Sequence, residues 1–192
     1  MEDQSIDPEE FNAFEAAGWE EKAAGYDHFF GGITGRLVGP LLDAAAVGAG
    51  TRMLDLASGP GYVAAEGADR GASVVGVDVA PAMVALAARL HPGLDFRRGD
   101  AHDLPFDNGS FDAVVGNFLI LHLGRPEQAT AGFVRVLRPG GRLALTVWDL
   151  PEHARFLGIF SMQSRRRGRG LRTICPPDPT SSGSRSTRSS CD

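Results

Sequence analysis

The chain has 192 residues, of which 43% are hydrophobic and 22% charged, and its formal net charge is −5. This length accommodates one domain with a sizeable core, and the composition is that of a soluble globular protein. No apolar run approaches the roughly 20 residues that span a bilayer, and the acidic N-terminus is unlike a signal peptide, so we expect a cytoplasmic chain with no membrane segment.

Charge is distributed unevenly along the chain. Residues 162–192 contain seven Arg and two Asp, a balance of +5, so the overall −5 leaves −10 for the preceding residues. An acidic body argues against nucleic acid as the main partner. Both cysteines, Cys175 and Cys191, lie in the basic end, so the body is expected to hold neither a disulfide framework nor a cysteine metal site.

Residues 1–50 are predicted to form a helical lead-in. Asp7 followed by Pro8 is typical of an N-cap and the first helical turn. Apolar residues recur at helical spacing over 37–45, and Gly50 marks the end of this region before the first strand.

Residues 51 to about 149 alternate between short apolar runs and helix-like stretches. Strands are predicted within 51–57, 72–79, 94–100, 111–121 and 141–149, and helices within 61–71, 80–92 and 125–140. The connection 101–110 is predicted to be a loop with an Asn108-Gly109 turn. This alternation predicts an α/β fold: a Rossmann-like open parallel sheet of about five strands with helices on both faces.

The periodic pattern ends at about residue 162. Residues 162–192 are rich in Arg, Ser, Pro and Gly and are predicted to be a disordered basic tail. Three interpretations remain open: a tail for an acidic partner, an end without a role, or a GC-rich gene read out of frame.

A glycine turn follows the first predicted strand. The segment "GPGYVA" satisfies G-x-G-x-x-[GA] through Gly59, Gly61 and Ala64. A turn of this kind lets a ligand approach the backbone and presents N–H groups at a helix N-terminus. The pattern alone is weak, and a tight strand–helix connection explains it equally well.

An acidic residue lies at the end of each of the next two predicted strands. Asp78 lies 19 residues after Gly59 and could accept both ribose hydroxyls of an adenosine, or could cap the helix opened by Pro81. Asp100 could accept a hydrogen bond from an adenine amino group beside the Ala101 N–H, or could be an ordinary loop acid. Because these strand ends converge on one crevice, the set favours a ligand site there.

Residues 51 to about 150 resemble the class I S-adenosylmethionine-dependent methyltransferases, specifically the small-molecule group similar to the ubiquinone/menaquinone-biosynthesis methyltransferases. Four segments carry the resemblance in order: "MLDLASGPG", "VVGVDVAPAMV", "RRGDAHDLPFDNGSFDAVVGNFLILHL" and "VLRPGGRLALTVWD". The domain organisation that follows is a lead-in at 1–50 on the substrate side, a cofactor-binding domain at 51–161, and the tail at 162–192.

The resemblance implies a place for each end of S-adenosylmethionine. The methionine part would be lined by residues at the ends of the first and fourth strands: Ala57, Ser58, Gly59, Gly61 and Asn117. Asp55 would lie near the cofactor's amino group, and Tyr26 could close the pocket from the lead-in. The adenosine would be bound by residues at the ends of the second and third strands: Asp78 at the ribose, Val79 against the adenine, and Asp100 and Ala101 at the adenine edge.

The expected reaction is methyl transfer to an O, N or C nucleophile of a small-molecule acceptor. The sulfonium methyl is already activated, so positioning and desolvation dominate, and a base is needed only where the nucleophile must lose a proton. His28, His102 and His122 lie near the expected mouth, but the sequence assigns no catalytic residue. No His, Asp and Glu cluster has convincing metal spacing, since His102 and Asp103 are adjacent and point in different directions.

Alternative functions stay open at this point. An NAD(P)-binding oxidoreductase would share the glycine turn and the acid that follows it, although Asp55 would repel a diphosphate on the turn. The sheet of the methyltransferase family has seven strands, whereas this sequence predicts five, so we expect the chain to be truncated after the fifth strand. A non-catalytic cofactor-binding fragment is therefore the third possibility. The sequence does not indicate the oligomeric state or the acceptor.

Overall fold

The computed structural model describes residues 7–26 and 31–149. Five strands form one sheet: β1 (Arg52–Leu56), β2 (Ser73–Asp78), β3 (Asp95–Arg98), β4 (Phe111–Asn117) and β5 (Leu137–Thr146). Their order is β3-β2-β1-β4-β5, and every neighbouring pair is parallel. The direction of winding changes between β1 and β4, which opens a crevice at the carboxyl ends of these strands. The predicted open parallel α/β sheet is confirmed.

The described residues contain six α-helices: α1 (Pro8–Lys22), α2 (Gly32–Thr34), α3 (Val38–Ala44), α4 (Tyr62–Asp69), α5 (Pro81–Leu90) and α6 (Pro126–Val136). The predicted start of α1 is confirmed, because the Asp7 side chain accepts a hydrogen bond of 2.7 Å from the Glu9 N–H and Pro8 occupies the first turn. A short 3₁₀ turn at Ile120–His122 follows β4.

Side chains of β1 alternate between two apolar layers. Met53 packs with buried residues of α3 and α4, such as Leu42 and Ala64, on one face of the sheet. Leu54 and Leu56 pack with Phe133 of α6 on the other face. Each such side chain contributes about 1.5–3 kcal/mol to folding when fully buried, and the two layers confirm that helices cover both faces.

Two strand boundaries differ from the sequence prediction. The apolar run "FLIL" predicted β4 to extend to residue 121, but β4 ends at Asn117 because Phe118 adopts a left-handed backbone conformation with φ +60°. The helix α6 was predicted to continue to residue 140, but it ends at Val136 and β5 begins at Leu137. The register of β5 against β4 then shifts across a bulge before Arg142.

Two sequence predictions concern residues outside those described: His28 near the expected mouth, and the tail at 162–192. Within 7–26 and 31–149, no helix has the length and apolar character needed to cross a membrane.

Candidate functional site

A cleft opens at the carboxyl ends of β1 and β4. The space between its lining residues, counted out into the solvent at its open mouth, is about 320 Å³. Residues lining it come from the turn after β1, from the end of β4 and from the lead-in, and include Ala57, Ser58, Gly59, Asn117, Tyr26 and Thr34. The structure therefore brings together four residues expected at the methionine end of the cofactor, with Tyr26 beside them.

Three backbone N–H groups of the turn after β1 are bonded to oxygens of the protein itself. The Ser58 N–H donates to the Val77 carbonyl at 3.0 Å, the Gly59 N–H to Asp78 Oδ2 at 2.8 Å, and the Gly61 N–H to the Ser58 carbonyl at 2.8 Å. A turn that binds a diphosphate needs such N–H groups free. This geometry disfavours the dinucleotide interpretation.

The glycines of the turn have different physical roles. Gly59 has φ +51°, and a Cβ built on it would meet no atom closer than 4.0 Å, so its outer side is open to a ligand. Gly61 has φ +87°, and a Cβ there would lie 2.6 Å from Phe96 Cζ and 2.9 Å from His91 Cδ2. Gly61 is therefore required for packing behind the turn. Ala57 also has a positive φ of +51°, a strained conformation for a residue with a side chain.

Asp78 joins the end of β2 to the glycine turn. Its carboxylate accepts hydrogen bonds from the Gly59 N–H at 2.8 Å and from the Ala80 N–H at 2.9 Å. Burial raises the pKa of Asp78, and these N–H groups oppose that shift. Asp78 is not the cap of α5; instead the Glu20 carboxylate of α1 accepts the Ala82 N–H at 2.9 Å.

Asp55 is a buried acid whose two carboxylate oxygens make no hydrogen bond of ordinary geometry within the described residues. It is 1% exposed and lies beside Gly76 of β2 in the sheet. Neither of its oxygens nor the buried Ser58 Oγ has a partner among the described residues. Burial, with a smaller contribution from the negative charge of Asp78, raises the pKa of Asp55 to about 8, and the nearby Ala64 N–H opposes that rise. Buried polar atoms of this kind call for an unlocated water or ligand.

Asn117 is held at the end of β4 by both ends of its amide. Its Nδ2 donates to the Thr34 carbonyl at 3.2 Å, and its Oδ1 accepts from Thr146 Oγ1 at 2.6 Å. The Phe118 N–H donates to the same Thr146 hydroxyl at 2.9 Å, and the Phe118 ring stacks on Trp148 with centroids 4.1 Å apart. Asn117 thus connects the lead-in, β4 and β5 at the cleft.

The residues expected at the adenine lie at the ends of β2 and β3 and do not line the cleft. Val79 is 37% exposed, whereas Ala101 is buried in the apolar layer on the α6 face. Asp100 is exposed and its Oδ1 accepts from the His102 N–H and contacts His102 Nδ1, each at 2.8 Å.

Sequence reasoning did not identify Thr34, which lines the cleft, or Thr146, which bonds Asn117. It also missed Glu15 and Glu20 of α1, which bond His122 and the Ala82 N–H. Only Thr146 carries a local signal, since it is a polar residue within the apolar run of the fifth strand as Asn117 is within that of the fourth; the other three contact distant parts of the chain. No group of three or more His, Cys, Asp or Glu side chains within 7–26 and 31–149 is arranged to hold a metal ion.

Comparison with known proteins gives a consistent picture. Residues 54–145 match the family described as "Methyltransferase domain". The chain is 41% identical over 119 residues to the demethylmenaquinone methyltransferase of Beutenbergia cavernae, a match covering 62% of this chain and 50% of that protein. The chain spans about half the length of the curated relatives it matches.

Solved structures show the same fold with different chemistry. The [4+2]-cyclase SpnF superposes with a TM-score of 0.55 at 32% identity, over 59% of this chain and 44% of that one. An S-adenosylmethionine-dependent methyltransferase from Mesorhizobium loti has a TM-score of 0.52 at 24% identity, over 58% of this chain and 52% of that one, a likeness of fold alone. Since a cyclase is among the similar structures, the reaction has to be argued from the site.

Proposed function

We propose, from the match of residues 54–145 to the methyltransferase domain family, that the chain binds S-adenosyl-L-methionine and transfers its methyl group to an O, N or C nucleophile of a small molecule. When bound, the cofactor supplies an activated methyl on a sulfonium, beside an α-ammonium group. The observation that carries the proposal is the turn after β1, whose N–H groups are internally bonded while unpartnered acidic and hydroxyl oxygens lie under it.

The residues at the methionine end fit a cationic ligand. Asp55 and Ser58 have buried oxygens without partners, which suit the ammonium group as acceptors. Gly59 leaves open space for close approach to the backbone. Asn117 has both amide atoms bonded already, so we assign it the positioning of the cleft wall, with its second N–H available to the ligand.

Asp78 is suited to bind the adenosine end of the cofactor. A carboxylate offers about four lone-pair sites, and the Gly59 and Ala80 N–H groups occupy two of those on Asp78. The remaining sites can accept two ribose hydroxyls. Exposed Val79 offers an apolar surface to the adenine ring, while Asp100 and the Ala101 N–H stay the proposed contacts at its edge.

Ligand-dependent thermal unfolding tests the proposal. Any ligand that binds only the folded chain must raise its midpoint. We expect S-adenosylhomocysteine to raise the midpoint and NAD⁺ at the same concentration to leave it unchanged. A rise with NAD⁺ alone would restore the oxidoreductase interpretation, and no rise with either ligand would contradict cofactor binding.

The acceptor is proposed as a small molecule with an ionisable or activated position. The relatives named demethylmenaquinone methyltransferase make a naphthohydroquinone the first probe to incubate with methyl-labelled S-adenosylmethionine. Label in the product supports turnover. Cofactor binding without label in any of several phenol, amine and hydroquinone probes would favour the non-catalytic cofactor-binding alternative.

A further inference from the structure

Glu15 of α1 and His122 after β4 form a hydrogen-bonded pair between segments 107 residues apart. Glu15 Oε2 lies 2.7 Å from His122 Nδ1 and also accepts the Trp19 Nε1–H at 3.2 Å. The Trp19 ring meets the His122 ring edge-on, with centroids 5.2 Å apart. Both sides of the imidazole are therefore fixed, one by a carboxylate and one by an aromatic ring.

Contacts of α1 with residues 120–125 fix this pair; we call residues 120–125 the α1 contact strip. Asn12 Oδ1 accepts the Gly124 N–H at 2.7 Å, and Glu9 pairs with Arg125 at 3.0 Å. The strip begins three residues after Asn117, which lines the cleft. The ring centroids of Trp19 and Tyr26 are 6.2 Å apart, and Tyr26 also lines the cleft. His122 therefore lies at the same edge of the sheet as the cofactor cleft.

The partner of Nδ1 determines where the ring proton lies. An ionised carboxylate only accepts hydrogen bonds, so Nδ1 must carry the hydrogen that is donated to Glu15. In the neutral ring, Nε2 then holds a bare lone pair. His122 Nε2 makes no hydrogen bond within residues 7–26 and 31–149, and the side chain is 32% exposed.

The other described histidines lack this combination. His102 also places Nδ1 against a carboxylate, that of Asp100, but its Nε2 accepts the Arg125 N–H at 3.4 Å and its side chain is 10% exposed. His91 has a buried Nε2 and packs behind the glycine turn, where a Cβ on Gly61 would touch its ring. His122 alone among these three has an oriented ring with an open, accessible nitrogen.

We propose that His122 Nε2 accepts the proton that the methyl acceptor loses, and that Glu15 positions the ring for this transfer. The inference rests on the proposed methyl transfer. The acceptor's bond to hydrogen breaks as its bond to the methyl carbon forms, and the sulfur keeps the electron pair of the broken sulfur–carbon bond. The positive charge lost at sulfur reappears on the imidazolium of His122, beside the carboxylate of Glu15.

The tautomer of His122 tests the positioning without any turnover. Nitrogen-15 NMR of the full chain, labelled at histidine and followed through a pH series until the His122 ring is neutral, should show a protonated Nδ1 and an unprotonated Nε2 in that neutral ring. Glu15→Ala should shift the neutral ring toward the Nε2–H form, whereas Glu21→Gln, an exposed neighbour on the same helix, should change nothing. A neutral wild-type ring with its hydrogen on Nε2 would overturn the proposal.

Kinetics on the same variants test the proton transfer. We expect His122→Asn to bind S-adenosylhomocysteine like the wild type but to lose about 10²-fold or more in methyl transfer to a naphthohydroquinone probe. Glu15→Ala should slow the transfer less and alter its pH profile, and Glu21→Gln should leave both unchanged. Unchanged methyl transfer in His122→Asn, or loss of cofactor binding in step with activity, would contradict the role.

The experiments distinguish a failure of the proposed methyl transfer from a failure of the role proposed for His122. A wild-type chain that does not bind S-adenosylhomocysteine fails the proposed function, while the NMR result still reports on Glu15 and His122. A chain that binds the cofactor and transfers methyl groups equally well without His122 fails this inference alone.

Discussion

The glycine turn and the α1 contact strip use polar side chains in opposite ways. At the turn, the side-chain oxygens of Asp55 and Ser58 are buried without partners among the described residues. At the strip, three side chains of α1 each pair with a group within residues 120–125: Glu9 with Arg125, Asn12 with Gly124 and Glu15 with His122. Unpaired buried polar groups reduce stability but can still accept hydrogen bonds from a ligand. Paired, partly exposed groups instead position one element against another. The first region has buried groups that a ligand could satisfy, and the second has groups that align two elements.

The largest effect is expected at Gly61, in the turn. Gly61→Ala forces a side chain into a left-handed conformation and against the Phe96 and His91 rings, so it should lower the free energy of unfolding by about 2–5 kcal/mol. Gly132→Ala is the matched control, because Gly132 lies inside α6 with no atom within 4 Å of an added Cβ. Urea denaturation should show this control to be stabilised by about 0.5–1 kcal/mol. Equal effects of the two changes would contradict the packing assigned to the turn.

Asp78 links the turn to the proposed ribose site. Asp78→Ala removes the acceptor of the Gly59 N–H along with the proposed ribose contacts, so the dissociation constant for S-adenosylhomocysteine should rise about 10- to 100-fold, as for loss of a charged hydrogen bond. Asp69→Asn, at the exposed end of α4, is the control and should bind normally. Calorimetric titration measures both, and normal binding by Asp78→Ala would remove Asp78 from the site.

Asp55 should make stability and binding respond to pH in opposite directions. Its pKa is raised from 3.8 to about 8 in the folded chain. Between these values the folded state holds a proton that the unfolded state has lost, so the stability contributed by Asp55 falls as pH rises through this window. Binding of a cation should instead strengthen as pH rises, because it requires the ionised form.

The test of that linkage is Asp55→Asn. At pH 7–8 the variant should be more stable by about 1 kcal/mol or more, with a flatter dependence of unfolding free energy on pH, and should bind S-adenosylhomocysteine more weakly. Denaturation at several pH values measures the first effect and titration the second. A variant that is less stable at pH 8, or that binds as tightly as the wild type, would refute the account of Asp55.

The smallest effect is expected at the α1 contact strip. A Cβ on Gly124 would collide with the Pro8 carbonyl and lie 2.9 Å from Asn12 Oδ1. Since α1 contributes no buried residue, Gly124→Ala should cost about 1 kcal/mol or less in global stability. It should nevertheless speed amide hydrogen exchange in α1 without changing exchange in β1, and equal acceleration in both would show that the strip is part of the core.

The strand, turn and helix around the glycines could be predicted from the sequence, whereas the contacts of the strip could not, for a physical reason. Asp55, Gly59, Gly61 and Asp78 lie in consecutive elements, where strand period and glycine placement carry the information. The contacts of Glu15 with His122 and of Asn117 with Thr34 join residues 107 and 83 positions apart. These contacts depend on how α1 and the rest of the lead-in pack against the sheet domain. Because α1 has no buried residue, its sequence pattern does not indicate which face makes the contact. The end of β4 was missed because "FLIL" is as apolar as a strand, although Phe118 turns the backbone away.

Calorimetric titration of the full chain with S-adenosylhomocysteine tests the central claim most directly. The account predicts saturable binding that weakens in Asp55→Asn and Asp78→Ala and persists in His122→Asn. No heat at millimolar ligand, from a chain whose far-ultraviolet circular dichroism shows it to be folded, would contradict the claim that the turn after β1 binds this cofactor.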